Sequence, residues 1–177
     1  MREDLKVVTY EQEITEIGVI ADTHIPTRGR NIPSRVFELF DEVQLILHAG
    51  DLVDEKILVE LQALAPVEAV AGNMDSGDLG SRLGRIKLVQ LKDLSIGLLH
   101  GDLSGRRIDP GEVLSLFEPY QPQAVVFGHL HEPVCQMHGE TLFFNPGSVI
   151  DPRRQQPSCG CLKIIDGEVK GEIVYLD

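Results

Sequence analysis

Short apolar runs alternate with amphipathic stretches along the first half of the chain. The apolar runs occupy residues 17–21, 44–48 and 67–71. Runs of this length between turn residues are typical of buried strands. Over residues 34–40 and 54–64 the apolar positions instead recur at helical spacing, with Ser34 at the expected N-cap of the first helix. This alternation of strand and helix predicts βαβ units that share a parallel sheet.

The pattern changes to paired strands in the second half of the chain. The paired segments are residues 85–91 with 95–99, residues 133–137 with 141–144, and residues 161–165 with 169–176. Short turns, such as His138-Gly139 and Asp166-Gly167, favour antiparallel hairpins. A helix is expected to begin at Pro110, because proline in the first helical turn leaves no hydrogen bond unmade. Together the two halves predict an α/β fold, a two-sheet β-sandwich flanked by helices in four layers.

Length and charge narrow the class of protein. The 177 residues suit one domain, with residues 1–14 as an expected N-terminal extension. Sixteen basic and 28 acidic residues give a net charge of −12, which disfavours polymeric nucleic acid and anionic membranes as main partners. The apolar runs fall far short of the roughly 20 residues of a membrane span, and the first residues lack the apolar core of a secretory signal. We expect a cytoplasmic protein that acts on a small molecule, and assembly into a homo-oligomer is left open.

Seven polar residues each fall just past the end of a predicted strand. In chain order they are Asp22, His24, Asp51, Asn73, His100, His129 and His131. The carboxyl ends of strands in an α/β sheet form the ligand crevice, so we expect these side chains to converge. Seven oxygen and nitrogen donors exceed the four of a tetrahedral site and suit two cations that share a carboxylate. A donor set without sulfur that includes imidazole favours manganese, iron, nickel or zinc.

The motifs around these residues carry a family resemblance. They read Asp22-Thr23-His24, Gly50-Asp51, Gly72-Asn73, His100-Gly101 and Gly128-His129-Leu130-His131. In this order they resemble the calcineurin-like metallophosphoesterases, and Asn145-Pro146-Gly147-Ser148 resembles the small single-domain phosphodiesterase branch of that superfamily.

The resemblance implies a role for each of the seven residues. Asp22, His24 and His131 match the positions that hold a first metal. Asp51 matches the bridging carboxylate, and Asn73, His100 and His129 match the positions that hold a second metal. The implied activity is hydrolysis of a small phosphodiester by a hydroxide that two divalent ions activate, manganese being favoured over nickel, iron or zinc. Asp51 and Asn73 are also expected to support the transition state.

Two further predicted roles concern the substrate. Arg153 and Arg154 could clamp phosphate oxygens, since arginine forms bidentate pairs with phosphate, or they could be ordinary exposed loop charges. Many relatives carry histidine after the motif asparagine, whereas this chain has Met74, which cannot supply a proton. Asp75 is therefore the candidate proton donor to the leaving group.

Other residues are expected to support the site from behind. By strand alternation His48 projects to the face opposite Ala49 and should pack behind the site. Residues 145–148 should order the loop beneath the metals, and Asp102 should orient His100 or His129.

Two alternatives stay open at the level of the sequence. A phosphomonoesterase would differ only in the shape of its pocket and in its proton donor. A catalytically weak scaffold would resemble the retromer coat subunit of the same fold, which is thought to bind proteins through its surface. Because all seven ligand positions are filled, the sequence favours an enzyme.

Overall fold

The computed structural model describes residues 5–102 and 108–176, and its strands form two sheets. The strands are β1 (Leu5–Thr9), β2 (Glu16–Ile20), β3 (Leu45–His48), β4 (Val67–Ala69), β5 (Ile86–Gln90), β6 (Ser95–Leu99), β7 (Ala124–Val126), β8 (Val134–His138), β9 (Thr141–Asn145), β10 (Ser158–Ile165) and β11 (Glu168–Tyr175). The helices are α1 (Ser34–Leu39), α2 (Lys56–Gln62), α3 (Gly77–Leu83) and α4 (Pro110–Leu116).

Each sheet contains three neighbouring parallel strands. The six-stranded sheet has the order β1-β5-β6-β7-β9-β8, and the five-stranded sheet has the order β11-β10-β2-β3-β4. Strands β2, β3 and β4 run parallel to one another, as do β6, β7 and β9. The three predicted hairpins are β5 with β6, β8 with β9 and β10 with β11, and all three are antiparallel. The carboxyl ends of neighbouring parallel strands consequently lie at the same edge of each sheet.

Three apolar clusters separate four layers. Val19 and Leu47 of the five-stranded sheet share a cluster with Leu98 of the six-stranded sheet, so this cluster lies between the sheets. A second cluster packs α1 and α2 on the outer face of the five-stranded sheet, with Phe40 at its centre. A third packs α4 on the outer face of the six-stranded sheet, where Phe117 is fully buried. The predicted fold, a two-sheet sandwich flanked by helices, is confirmed.

Glycines in the strands make room for large aromatic rings. A Cβ atom on Gly160 would lie 2.4 Å from the ring of Phe144, and one on Gly171 would lie 2.6 Å from it. Phe144 comes from β9 and these glycines from β10 and β11, so the ring fills a slot between the two sheets. Gly97 gives Phe117 similar space beneath α4, with a Cβ distance of 2.6 Å.

The N-terminal segment differs from the sequence expectation. Residues 5–9 form an edge strand that pairs in parallel with β5, with Leu5 opposite Ile86 and Thr9 opposite Gln90. Residues 5–9 of the expected extension are thus built into the six-stranded sheet. Only half-buried and exposed side chains lie along this strand, so its sequence lacks the apolar run of a buried strand.

The helices also depart from the prediction in detail. Ser34 is the first helical residue, and Pro33 occupies the N-cap without a side-chain hydrogen bond. Helix α3 was not predicted because it buries no residue and contains two glycines, so its sequence carries no amphipathic signal. At α4 the prediction is confirmed: Pro110 lies in the first turn, and Asp109 caps the helix by accepting the N–H of Glu112. Within the described ranges, no helix combines the length and the apolar character that crossing a bilayer requires.

Candidate metal centre

Loops at the carboxyl ends of strands from both sheets meet at one edge of the sandwich. The loops after β2, β3 and β4 leave the five-stranded sheet, and those after β6 and β7 leave the six-stranded sheet. In that order they carry Asp22 with His24, Asp51, Asn73, His100, and His129 with His131. The convergence predicted from the sequence therefore follows from the parallel strand order.

Five of these residues form a buried group, called the ligand cluster below. Asp22, His24 and His131 each place one donor atom within 4.8 Å of the others. Asp22, Asp51 and His100 do the same, so Asp22 belongs to both triads. Oδ2 of Asp51 lies 3.6 Å from Nε2 of His24 and 3.4 Å from Nε2 of His100. Both carboxylates thus reach both triads, and either could be shared between two cations.

Each carboxylate holds a neighbouring loop with one oxygen and turns the other toward the histidines. Oδ2 of Asp22 accepts the backbone N–H of His129 at 2.9 Å, and Oδ1 of Asp51 accepts that of Met74 at 2.8 Å. The remaining Oδ1 of Asp22 lies 3.3 Å from Nε2 of His131 and is buried without a hydrogen-bond partner among the described residues. Such an atom is costly unless something compensates it, and a cation within the cluster would do so.

Backbone carbonyls fix the orientation of two histidine rings. Nδ1 of His100 donates to the carbonyl oxygen of Ala49 at 2.7 Å, and Nδ1 of His131 donates to that of Asp151. Because a carbonyl can only accept, the neutral forms of both rings present the lone pair of Nε2 to the cluster. This outer hydrogen bond is the usual arrangement of metal-ligating histidine. Nε2 of His100 is also buried without a partner in the described structure.

The carboxylates and burial shift the histidine pKa values in opposite directions. Burial disfavours the charged form of His100, but contact with Asp51 and the charge of Asp22 outweigh it and raise the pKa of His100 to about 9. Burial also opposes charge on His131, yet Asp22 prevails and raises the pKa of His131. For His24, burial dominates and lowers the pKa. A divalent cation would replace the proton that His100 otherwise holds between the carboxylates.

The backbone at the site adopts an uncommon conformation. Five of the seven predicted ligands have φ between 46° and 67°, in the left-handed region, and they are Asp22, His24, Asp51, His129 and His131. Aspartate and histidine enter this region more readily than most residues, but each instance still costs on the order of 1 kcal/mol or more. Strain of this kind concentrates at functional sites.

Two glycines allow the carboxylates to pack against neighbouring loops. A Cβ atom on Gly72 would lie 2.0 Å from Oδ1 of Asp51, and one on Gly128 would lie 2.8 Å from Oδ2 of Asp22. Both distances are shorter than real Cβ contacts allow. The glycines of the third and fifth motifs therefore belong to loops whose backbones approach the ligands closely.

The remaining two predicted ligands lie beside the cluster. The half-buried ring of His129 stands edge-on to that of His100, with 5.2 Å between the ring centroids. Asn73 has an exposed side chain, and its neighbours Gly72 and Met74 both contact the Asp51 carboxylate. The structure thus brings five predicted ligands into one cluster and holds the other two at its edge.

The Asp75 carboxylate connects two loops of the site. It is buried, and its Oδ1 and Oδ2 accept the backbone N–H groups of Val53 and Gly72 at 2.7 and 2.9 Å. A proton donor needs an oxygen that is free to face the leaving group. Asp75 joins the loops after β3 and β4, and its role as proton donor stays a prediction.

The residues expected to support the site from behind do so, with one exception. Nδ2 of Asn145 donates to the carbonyl oxygen of Gly128 at 2.9 Å, and Oγ of Ser148 donates to that of Asp22 at 2.7 Å. His48 is fully buried on the helical side and accepts the N–H of Gly50 through Nδ1 at 3.2 Å.

Asp102 is the exception, because both of its oxygens pair with Arg85. It is the carbonyl of Ala49 that orients His100.

The structure adds two residues that sequence reasoning missed. Arg28 pairs with Asp151, whose carbonyl oxygen holds His131, so this ion pair is connected to the cluster through the backbone of Asp151. The two residues are 123 positions apart, and no local pattern in the sequence links them. The predicted substrate residues Arg153 and Arg154 are exposed and follow Asp151 in the same loop.

Known proteins share this sequence pattern and fold. The profile of the calcineurin-like phosphoesterase superfamily domain matches residues 16–167. A probable metallophosphoesterase of Methanothermobacter thermautotrophicus is 40% identical over 158 residues, which cover 89% of this chain and 91% of that protein. The phosphodiesterase YfcE of Escherichia coli K12 is 31% identical over 165 residues, which cover 81% and 84%. The solved structure of wild-type Vps29 complexed with Zn²⁺ from Entamoeba histolytica is 26% identical, has a TM-score of 0.70, and covers 92% of this chain and 99% of that one.

Proposed function

The chain belongs to the calcineurin-like phosphoesterase superfamily, and from this premise we propose that it hydrolyses small phosphodiesters with the help of two divalent cations. The observation that carries the proposal is the pair of buried atoms Oδ1 of Asp22 and Nε2 of His100, which point into the ligand cluster without a hydrogen-bond partner among the described residues. Buried polar atoms are rarely left unpaired, so this arrangement supports a site built to hold cations.

The seven predicted ligands divide into two sets around a shared carboxylate. We assign Asp22, His24 and His131 to the first cation, and Asn73, His100 and His129 to the second. Asp51 is the proposed bridge, and its Oδ2 lies near histidines of both sets. We favour manganese, with nickel, iron or zinc as alternatives, because the donors are imidazole, carboxylate and amide without sulfur.

Bound cations would supply what the chain itself lacks for this reaction, an acidified water molecule and positive charge for the phosphoryl oxygens. Two divalent ions with Asp22 and Asp51 would leave a local charge of +2 in a chain whose net charge is −12. An anionic phosphodiester would therefore be attracted to this edge of the sandwich and repelled from most of the remaining surface.

The chain's own contribution is to orient ligands and substrate. The carbonyl of Ala49 holds His100, and the amide of Met74 holds Asp51, so both donors keep their direction when a cation is absent. We propose that Arg153 and Arg154 contact phosphate oxygens of the substrate, and that Asp51 and Asn73 support the transition state. Two carboxylates and oriented imidazoles at a strand edge suit positioning of a phosphoryl group for in-line attack.

Hydrolysis of bis(p-nitrophenyl) phosphate by the metal-stripped protein, before and after addition of Mn²⁺, tests the proposal. We expect activity only with the cation, and we expect Asp51→Asn to lose about 100-fold or more. Asparagine keeps the shape of the side chain and can still accept the Met74 amide, so the variant should fold, which thermal unfolding would verify. Asp93→Asn, the same change at an exposed turn between β5 and β6, is the matched control and should behave as wild type.

The same assay separates the alternatives. Faster turnover of p-nitrophenyl phosphate than of the diester would identify a phosphomonoesterase. A protein that binds Mn²⁺ but hydrolyses neither ester would favour the scaffold. Activity that needs no cation, or an Asp51→Asn variant as active as wild type, would refute the proposed function.

A further inference from the structure

Two loops beside the ligand cluster concentrate positive charge. Their charged residues are Arg28 and Arg30 in residues 25–32, and Asp151, Arg153 and Arg154 in residues 150–156. The four arginines, called the arginine rim below, and the one aspartate give these loops a charge of +3 in a chain of net charge −12. Charge of the opposite sign to the rest of the surface, beside a site proposed for anions, points to a role in binding.

Direct contacts join the two loops into one surface. Arg28 forms an ion pair with Asp151. The backbone of Gly29 lies so close to Ile150 that a Cβ atom there would stand 2.7 Å from Cγ2 of that side chain. The two loops that carry the arginine rim therefore form one continuous surface.

The same loops are fastened to the ligand cluster. The backbone N–H of Arg28 donates to the carbonyl oxygen of His24 at 2.8 Å. The carbonyl oxygen of Asp151 accepts from His131, and its N–H donates to Oγ of Ser148 at 2.9 Å. Because both loops bond to residues of the cluster or its support, the rim has a fixed position beside His24 and His131. A preorganised site loses little entropy when it binds a ligand.

Arg153 offers an uncompensated charge at this position. Its side chain is exposed, and within residues 5–102 and 108–176 neither Arg153 nor Arg154 has an acidic partner. Arg153 follows Asp151 by two residues, and the carbonyl oxygen of Asp151 accepts from His131, so Arg153 lies on the loop that reaches the cluster. Arg28, in contrast, is neutralised by Asp151 and serves to anchor the loop.

We propose that the arginine rim binds a second anionic group of the phosphate kind, carried by the substrate in addition to the phosphodiester that is cleaved. This inference rests on the proposed function and names the class of substrate. The ligand cluster with two cations would neutralise a single phosphodiester, so the charge of the rim is available for another group. Arginine suits this role because its guanidinium pairs with phosphate oxygens in a bidentate manner.

A matched pair of substrates tests the inference. Thymidine 5′-(p-nitrophenyl phosphate) and its 3′-phosphorylated counterpart have the same scissile ester and leaving group and differ by one phosphate. With Mn²⁺, wild type should have the higher kcat/KM for the 3′-phosphorylated compound. Arg153→Gln should reduce the ratio of the two kcat/KM values about tenfold. The preference of wild type should shrink as salt concentration rises, because the rim is exposed.

Arg35→Gln is the matched control. Arg35 is exposed on α1, outside the two rim loops, and its charge is paired with that of Glu38. Its substitution changes the net charge of the protein by the same amount and should leave the ratio unchanged. Arg154→Gln is a second rim variant, for use if thermal unfolding shows that Arg153→Gln is not folded.

The outcomes separate this inference from the proposed function. If wild type hydrolyses neither compound, the proposed function fails. In that case, isothermal titration calorimetry compares the dissociation constants of thymidine 3′,5′-bisphosphate and thymidine 5′-monophosphate. Wild type should bind the bisphosphate more tightly, and Arg153→Gln should lose this difference. A ratio that is the same in wild type, Arg153→Gln and Arg35→Gln, with no difference in bisphosphate binding, would overturn the inference.

Discussion

Replacing Gly72 by alanine should weaken cation binding and also lower the free energy of unfolding. The new methyl group would lie 2.0 Å from Oδ1, 2.5 Å from the backbone nitrogen and 2.7 Å from Cγ of Asp51, where real Cβ contacts do not fall below 3.0 Å. The Asp51 carboxylate must therefore move by at least about 1 Å. Because Oδ1 now accepts the amide of Met74 at 2.8 Å, such a shift breaks that hydrogen bond.

The size of the effect follows from these contacts. Losing a hydrogen bond to a charged acceptor costs roughly 1.5–3 kcal/mol. The same movement changes the spacing of 3.4 Å between Oδ2 of Asp51 and Nε2 of His100. Disturbing the groups that hold metal ligands typically lowers metal affinity 10- to 100-fold, so we expect the dissociation constant for Mn²⁺ to rise by about that factor.

Isothermal titration of the metal-stripped protein with Mn²⁺ measures this change, and urea unfolding measures stability. Gly97→Ala is the control, because its Cβ would lie 2.6 Å from Phe117 in an apolar layer remote from the ligands. It should lower the free energy of unfolding and leave Mn²⁺ affinity unchanged. If Gly72→Ala binds Mn²⁺ as tightly as wild type, or Gly97→Ala weakens binding equally, the argument from Asp51 packing is wrong.

Three further substitutions test the support of the site and the core. Burial holds the pKa of His48 at about 3 against about 6.5 when unfolded, so the unfolded chain binds the proton first as pH falls. His48 alone should therefore lower the free energy of unfolding by about 2 kcal/mol between pH 7 and pH 5. The variant His48→Asn can still accept the Gly50 amide. In urea unfolding at several pH values, it should lack this contribution to the pH dependence. Ser148→Ala loses the hydrogen bond to the Asp22 carbonyl and should cost about 2 kcal/mol by urea unfolding, whereas an unchanged midpoint would contradict its role. Phe144→Ala should cost about 3–5 kcal/mol by the same measurement, unless the two sheets can close the slot that the ring fills.

The ligand cluster could be predicted because each motif follows an apolar run that reads as a strand. Asp22 follows β2 and His100 follows β6 directly, and both strands are completely or nearly completely buried. Parallel order then brings the ends of such strands to one edge, whatever the details of the loops. The local sequence identifies the strand ends, and the rule that parallel strands end at the same edge brings residues far apart in the chain to one site.

Features without a local signal could not be predicted. Strand β1 pairs with β5, about 80 residues away, through half-buried and exposed side chains, so neither its identity as a strand nor its partner shows in the sequence. Helix α3 buries none of its residues. Both elements are held by long-range contacts, which outweigh weak intrinsic preferences.

The roles of individual acids were also beyond the sequence. Asp75 stands next to the third motif, which suggested chemistry, yet its oxygens hold the amides of Val53 and Gly72. Asp151 stands outside every motif, yet its carbonyl orients His131. The sequence does not distinguish an aspartate whose carboxylate stabilises a loop from one whose carboxylate points toward the substrate. Only the orientation of the side chain distinguishes them.

The left-handed backbone at the ligand positions restricts how this protein can change its metal. Asp51 has a φ of 57°, in the left-handed region. A cysteine or glutamate introduced there to bind a different ion would have to adopt the same φ, which aspartate tolerates better. The same holds at His24 and His131, with φ of 46° and 58°. A change to thiolate ligands would thus require new loop conformations before cysteine could bind a cation there. The backbone conformation of the loops therefore favours oxygen and nitrogen ligands.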